Sequence, residues 1–153
     1  MEMLKDYFLQ NWPLILILLA FIISLITTVF LEKKTVIKMY ILIIAVFLLS
    51  IVVFVEFYII DKAELKWLRI ILMAIRYSAT PLIIAQITFT LVNRLRWFIF
   101  LPALSLVIVN IISIFTGIVF NIDENNVFNR GPLGFLPFIM VGLYGILLVY
   151  LLI

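Results

Sequence analysis

Five stretches of nearly uninterrupted apolar residues, separated by short polar connections, organise this chain. The first runs from Leu14 to Leu31 and is broken only by Ser24, Thr27 and Thr28. The second runs from Val36 to Ile60, with Lys38 close enough to its start to snorkel to an interface. The third, Leu68 to Val92, contains Arg76, Pro81 and Gln86; the fourth, Trp97 to Phe120, contains Pro102 and Asn110; the last is Leu133 to Ile153. A helix rising about 1.5 Å per residue needs roughly 20 residues to cross a hydrocarbon layer of about 30 Å. The pattern therefore predicts transmembrane helices at residues 12–31, 36–60, 68–92, 97–120 and 133–153.

Many of the apolar residues are β-branched, which alone would favour strands. Inside hydrocarbon, however, a helix pairs its own backbone groups whereas an open strand leaves them bare. The runs also lack the apolar–polar alternation of a membrane barrel. The expected fold class is an all-α membrane protein, a five-transmembrane-helix bundle forming one domain over residues 1–153, with no internal repeat.

Composition agrees: of 153 residues, 67% are hydrophobic and 12% charged, which leaves too little polar surface to cover a water-soluble core. There is no cysteine and no histidine, so disulfides, thiol nucleophiles and the commonest metal ligands are excluded. No metal or other cofactor is implied. The opening MEMLKDYFLQNWP lacks a basic n-region and precedes a long apolar run without a small-residue cleavage pattern, so it reads as a retained helix, with Pro13 suited to a first helical turn.

The net charge of +3 is spread over short connections and does not point to nucleic acid. With the N-terminus outside, Lys33, Lys34, Lys38, Arg94 and Arg96 face the cytoplasm, and Lys5, Lys62, Lys66, Arg69 and Arg130 face outward. The basic count is tied, and the outward acids Glu2, Asp6, Asp61, Glu64, Asp123 and Glu124 tip the expectation to N-terminus outside, C-terminus inside. Trp12, Trp67 and Trp97 sit near run boundaries, as interfacial anchors do. The remaining aromatics, part of a 15% content, fit lipid contact and packing.

The residues that resist this background are few. Arg76 lies well inside the third run, where an arginine costs about 2.5 to 3.5 kcal/mol on the gentler insertion scales. Glu56, near the outer end of the second span, is its expected partner across antiparallel helices. Tyr77 follows Arg76 but points about 100° away on a regular helix. Gln86 and Asn110 are candidates for hydrogen bonds between helices. Pro81, Pro102 and Pro137 are candidate kinks or hinges, since each removes a helical hydrogen bond if deeply embedded. Neither the carboxylates nor GPLG and GLYG form an acid–base pair or a phosphate loop, so catalysis by these residues is not expected.

Two segments together, IRYSATPLIIA at residues 75–85 and FNIDENNVFNRGPLGFLPF at residues 120–138, resemble the N-terminal membrane module of bacterial diguanylate cyclases that carry a C-terminal GGDEF domain. The likeness extends more broadly to the multispanning input regions of membrane histidine kinases. The resemblance implies a sensory or regulatory module of the bacterial cytoplasmic membrane, commonly a homodimer, that couples a small-molecule, lipid or protein stimulus to a covalently attached cytoplasmic effector. Arg76, Tyr77, Pro81, Asn126, Arg130, Gly131 and Pro132 fall in the matching segments. A complete cyclase would continue past Ile153 into its catalytic domain, and GGDEF itself is absent here, so no catalytic residue is carried over. The candidate sensing set is Glu56, Arg76, Tyr77, Asn110, Asn126 and Arg130, with membrane lipids as immediate partners. The alternative is a non-catalytic structural or assembly subunit of a membrane complex.

The polar stretch FNIDENNVFNRGPLG is expected to be an outer loop. Asp123, Glu124 and the asparagines would keep it wet, Arg130 would sit near lipid phosphates, and Gly131 and Pro132 would turn the chain into the last span.

Overall fold

A computed structural model describes residues 2–27, 31–92 and 97–153. Five α-helices dominate it: α1 (Glu2–Thr27), α2 (Lys33–Tyr58), α3 (Lys66–Leu91), α4 (Leu101–Thr116) and α5 (Leu136–Leu152). The first four, counting the short 3₁₀ turns that lead into α3 and α4, are long and apolar enough to cross a membrane, and α5 is a shorter apolar helix. The chain thus has the make-up of a multi-pass membrane protein.

Helix α3 is the hub. It packs against α2, α4 and α5, whereas among the described residues α1 touches only α2. Cross-helix pairs fix the directions: Ser78 of α3 meets Asn110 of α4, Tyr77 meets Phe138 at the start of α5, and Tyr144 further along α5 meets Ala103. Helices α2 and α4 therefore run opposite to α3, and α5 runs with it. One end of the bundle gathers the close of α2, the start of α3, the close of α4 and the start of α5.

That end is where the structure departs most from the hydropathy pattern. The fourth helix stops at Thr116 rather than continuing to 120, because Gly117 takes a left-handed cap at φ 67°. The Ser113 hydroxyl then accepts hydrogen bonds from the backbone N–H groups of Val119, at 2.9 Å, and Phe120, at 3.2 Å, and so turns the chain out of the helix. Residues Phe120–Ile122 (β1) and Phe128–Arg130 (β2) pair antiparallel, with Asn121 opposite Asn129. Apolar and polar residues alternate along β1, so Phe120 and Ile122 turn inward while Asn121 stays exposed. A period of two makes this a strand, and hydropathy averaged over a span cannot register it.

The hairpin is therefore a plug on one face and wet on the other, where Asn121, Glu124, Asn125 and Asn129 stay exposed as expected. Val119, Phe120 and Ile122 are buried against Ile70, Met73, Ala74 and Tyr77 of α3. Its turn is built by Asp123, whose carboxylate accepts the N–H groups of Asn125 at 2.9 Å and Val127 at 2.8 Å. Asn126 adopts φ 60°, which asparagine tolerates better than most residues. Gly131 is required by close approach: a Cβ there would stand 2.4 Å from the carbonyl oxygens of both Gly117 and Ile118. The Gly131 carbonyl also accepts the Gly134 N–H at 2.9 Å, so Gly131 and Pro132 turn the chain toward α5 as expected.

The prolines are also redistributed. Pro81 lies inside α3, as expected for a kink candidate. Pro102 and Pro137 instead occupy the first positions of α4 and α5, where a missing N–H costs nothing, so neither is an embedded kink. Pro13 shows the reverse, because α1 begins at Glu2 and carries Pro13 in its interior. Arg94 and Arg96, expected on the cytoplasmic side, lie outside the described residues.

Candidate functional site

The polar groups of the bundle collect where the hairpin covers the ends of α2 and α3. Glu56, two residues before the end of α2, is 6% exposed. Arg76 starts ten residues into α3 and reaches back along the helix to place a guanidinium nitrogen 2.8 Å from a Glu56 carboxylate oxygen. The side chains of an α-helix lean toward its N-terminus, so this reach follows the natural direction of an arginine on α3. The contact is a charge pair rather than an aligned hydrogen bond. About a third of the Arg76 side chain is exposed, so one partner is accessible at the bundle flank and the other is enclosed.

A second arginine completes the arrangement. Arg69 lies two turns from Arg76 on the same face of α3, is 4% exposed, and is close enough for its charge to act on Glu56. It donates to the backbone carbonyl of Asn126 at the tip of the hairpin, while its Nε has no protein partner. The Asn126 side-chain amide in turn reaches the carbonyls of Ile60 at 2.6 Å, Ile59 at 3.2 Å and Lys62 at 3.3 Å in the turn that follows α2, where the Ile59 and Lys62 oxygens also accept the N–H groups of Lys62 and Leu65. Asn126 thus fastens the hairpin to the close of α2 through its side chain and to α3 through its carbonyl. Its own side-chain oxygen is buried without a hydrogen bond.

The electrostatic balance of this cluster is uneven. Arg76 contacts the one carboxylate, Glu56, and Arg69 acts on it only at longer range, so the cluster has two cations to one anion, with Arg69 and Glu56 buried and Arg76 partly exposed. Desolvated charges of this kind are costly unless paired and hydrogen-bonded. Nothing in the arrangement resembles a nucleophile with a base.

The other expected site residues disperse. Tyr77 faces the hairpin core, stacked on Phe120 at 5.6 Å between ring centres and edge-on to Phe138 at 6.2 Å. Despite its angular offset it also meets Arg76, whose guanidinium carbon lies 5.2 Å from the ring centre. Asn110 sits on the α4 side and donates to the Ser78 hydroxyl at 3.1 Å, as a packing contact between helices. Arg130 lies over the rings of Phe135, at 4.5 Å, and Phe138, at 5.3 Å, and binds the hairpin to the start of α5. Glu56, Arg76 and Asn126 are therefore joined through Arg69, whereas Tyr77, Asn110 and Arg130 are peripheral. In the sequence Arg69 counts only as one more basic residue near a span boundary; its spacing of seven from Arg76 was the available signal.

No protein-family model, curated protein or solved structure matches the chain. The site must be read from its own chemistry.

Proposed function

We propose that this chain is a membrane sensory or regulatory input module that passes a signal to a cytoplasmic effector. The observation that carries the reading is the Glu56–Arg69–Arg76–Asn126 cluster, which ties the hairpin between α4 and α5 to the ends of α2 and α3. A stimulus that alters the charge balance there changes how firmly the hairpin is held. The hairpin leads through Gly131 and the following turn into α5, so its displacement moves that helix against α3. Coupling requires only that the stimulus bind the two packings with different free energy.

The resemblance of residues 75–85 and 120–138 to diguanylate cyclase input modules supports a GGDEF-type effector joined after α5, an N-terminus outside and C-terminus inside, and a homodimer in a bacterial cytoplasmic membrane. The test is reconstitution in lipid of the chain with its native C-terminal effector attached. Output and the relative positions of α2, α3 and α5 are followed as candidate stimuli are added. Expected is an output change that Arg76→Ala abolishes while assembly is retained. Output and helix positions indifferent to every stimulus would overturn the reading. Joint loss of folding and assembly in Arg76→Ala would favour a structural subunit instead.

A further inference from the structure

The excess positive charge of the cluster stands at the head of a long apolar groove. Between α2 and α3 the surface opens into a cavity of about 370 Å³, flanked by Ala45 and Val52 on one side and Ala79 and Ile83 on the other, with Gln86 and Phe100 at its far end. The two alanines hold the helices' side chains apart and give the groove its depth. Glu56 lies one helical turn beyond Val52 on α2, and Arg76 one turn before Ala79 on α3, so the charged pair continues both walls of the groove toward the hairpin.

The dimensions fit a membrane. On α2 the groove extends from Ile41 to Val52, on the order of 16 Å at about 1.5 Å per residue. Measured from Glu56, its far end at Ile41 is on the order of 22 Å away along α2, so an acyl chain anchored at the charged pair runs past the midplane of a roughly 30 Å hydrocarbon core. The charged pair stands only two residues before the end of α2, and exposed Tyr58 and Trp67 flank that end as interfacial aromatics do. Arg76, paired with Glu56 near that end and about a third exposed, has a side chain long enough to snorkel its guanidinium toward a lipid phosphate.

We infer that this groove is a specific site for an anionic phospholipid, with one acyl chain lying between α2 and α3 and the phosphate against Arg76. A monoanionic phosphate neutralises the excess charge that Glu56 leaves over, and arginine is the side chain best matched to phosphate oxygens. A zwitterionic headgroup brings a positive charge of its own and compensates less. This assignment deepens the input-module reading and rests on the same cluster: the occupant bears on the arginine that pairs with Glu56, and through it on the hairpin.

Binding is tested on the chain as it stands, without an effector. Purified protein is placed in phosphatidylcholine nanodiscs doped with phosphatidylglycerol that carries a photoreactive group on one acyl chain, and the crosslinked residues are mapped. Expected is labelling of the α2–α3 groove that unlabelled phosphatidylglycerol displaces and phosphatidylcholine does not. Arg76→Gln should weaken it roughly five- to tenfold, and Arg76→Lys less. Ala79→Trp, which fills the groove and leaves every charge in place, should abolish it. Thermal unfolding of each variant identifies any that fail to fold. If Arg76→Gln does not fold, Ala79→Trp and the headgroup competition carry the decision.

Equal displacement by phosphatidylcholine would overturn the assignment, as would labelling spread evenly over all helices. Displacement by oleate at lower concentration than phosphatidylglycerol would give the site to a free fatty acid. Crosslinks from the groove to a second copy would make it a protein interface. Effector output is measured separately. Specific groove labelling with output indifferent to every stimulus sinks the input-module reading alone, and switching without specific groove labelling sinks the lipid site alone.

Discussion

The two ends of the bundle solve the same problem with different chemistry. Away from the hairpin, the Tyr144 hydroxyl donates to the Ile99 carbonyl at 2.5 Å and accepts the Ala103 N–H at 3.2 Å, joining α5 to the start of α4. Around it lie Ala85, Ile99 and Ala103, with Leu82, Phe89 and Met140 at the edge. The hydrogen bonds of that joint join neutral groups, its one hydroxyl has both a donor and an acceptor as partners, and the cation at its edge, Lys38, lies over the Phe89 ring at 4.0 Å. At the hairpin end, α2, α3 and the α4–α5 connection are joined by three charged side chains and an asparagine, with Arg69 Nε and Asn126 Oδ1 left without partners. A neutral, satisfied joint holds helices together and responds to little. A charged joint with surplus cation and unmet polar atoms is sensitive to whatever approaches it.

The sharpest way to break this contrast is Glu56→Ala. It leaves both guanidinium groups without a carboxylate, and the expected cost is about 3 kcal/mol, the low end of the range for a buried ion pair, because Arg76 is partly exposed. Reversible unfolding in mixed micelles measures it; a loss no larger than that of Tyr144→Phe would erase the difference between the two ends.

Asn126→Ala comes next. It removes the amide from the carbonyls at the end of α2 and forces alanine into φ 60°, for a combined cost of about 2 to 3 kcal/mol. Faster amide exchange should follow in the hairpin and not around Tyr144. Asn126→Gly should recover the conformational part alone, roughly 1 kcal/mol.

Tyr144→Phe should cost only about 1 kcal/mol, because hydrogen bonds between helices in membranes contribute modestly when the unfolded chain finds other partners. It should leave exchange in the hairpin unchanged, and increased exchange there would show that the two ends are coupled through α5. The smallest effect is expected from Asn110→Ala, which loses the bond to Ser78 at an average cost of about 0.6 kcal/mol.

Part of this division was legible in the residues. Arg76 stood out because a guanidinium inside an apolar run must find a partner, and Glu56 was within reach once a short connection made α2 and α3 antiparallel. Asn126 was recognisable as a member of a polar segment but not as a buried clasp. Arg69 was hidden because a basic residue near the end of a span is ordinarily an interfacial anchor, and only the hairpin laid over it turns it into an interior group. Asn110 and Arg130 were grouped with the site because they are polar or lie in the matching segments, but Asn110 meets Ser78 and Arg130 ends β2 over Phe135 and Phe138, while Tyr77 touches the cluster only through its ring beside Arg76.

Hydropathy alone determined that this chain forms apolar helices of membrane-crossing length, since the cost of unpaired backbone in hydrocarbon leaves few other choices and depends on composition summed over a whole run. Where α4 ends, which prolines begin helices, and whether residues 120–130 stay wet or fold inward depended on local geometry: a left-handed glycine, a serine that catches two amides, a three-residue strand. The shared carboxylate between Arg69 and Arg76, and the groove leading from it, belong to the tertiary structure alone. They arise where the end of α2, the start of α3 and a hairpin distant in sequence converge, and a charge becomes interior or exposed only when another segment covers it or leaves it open.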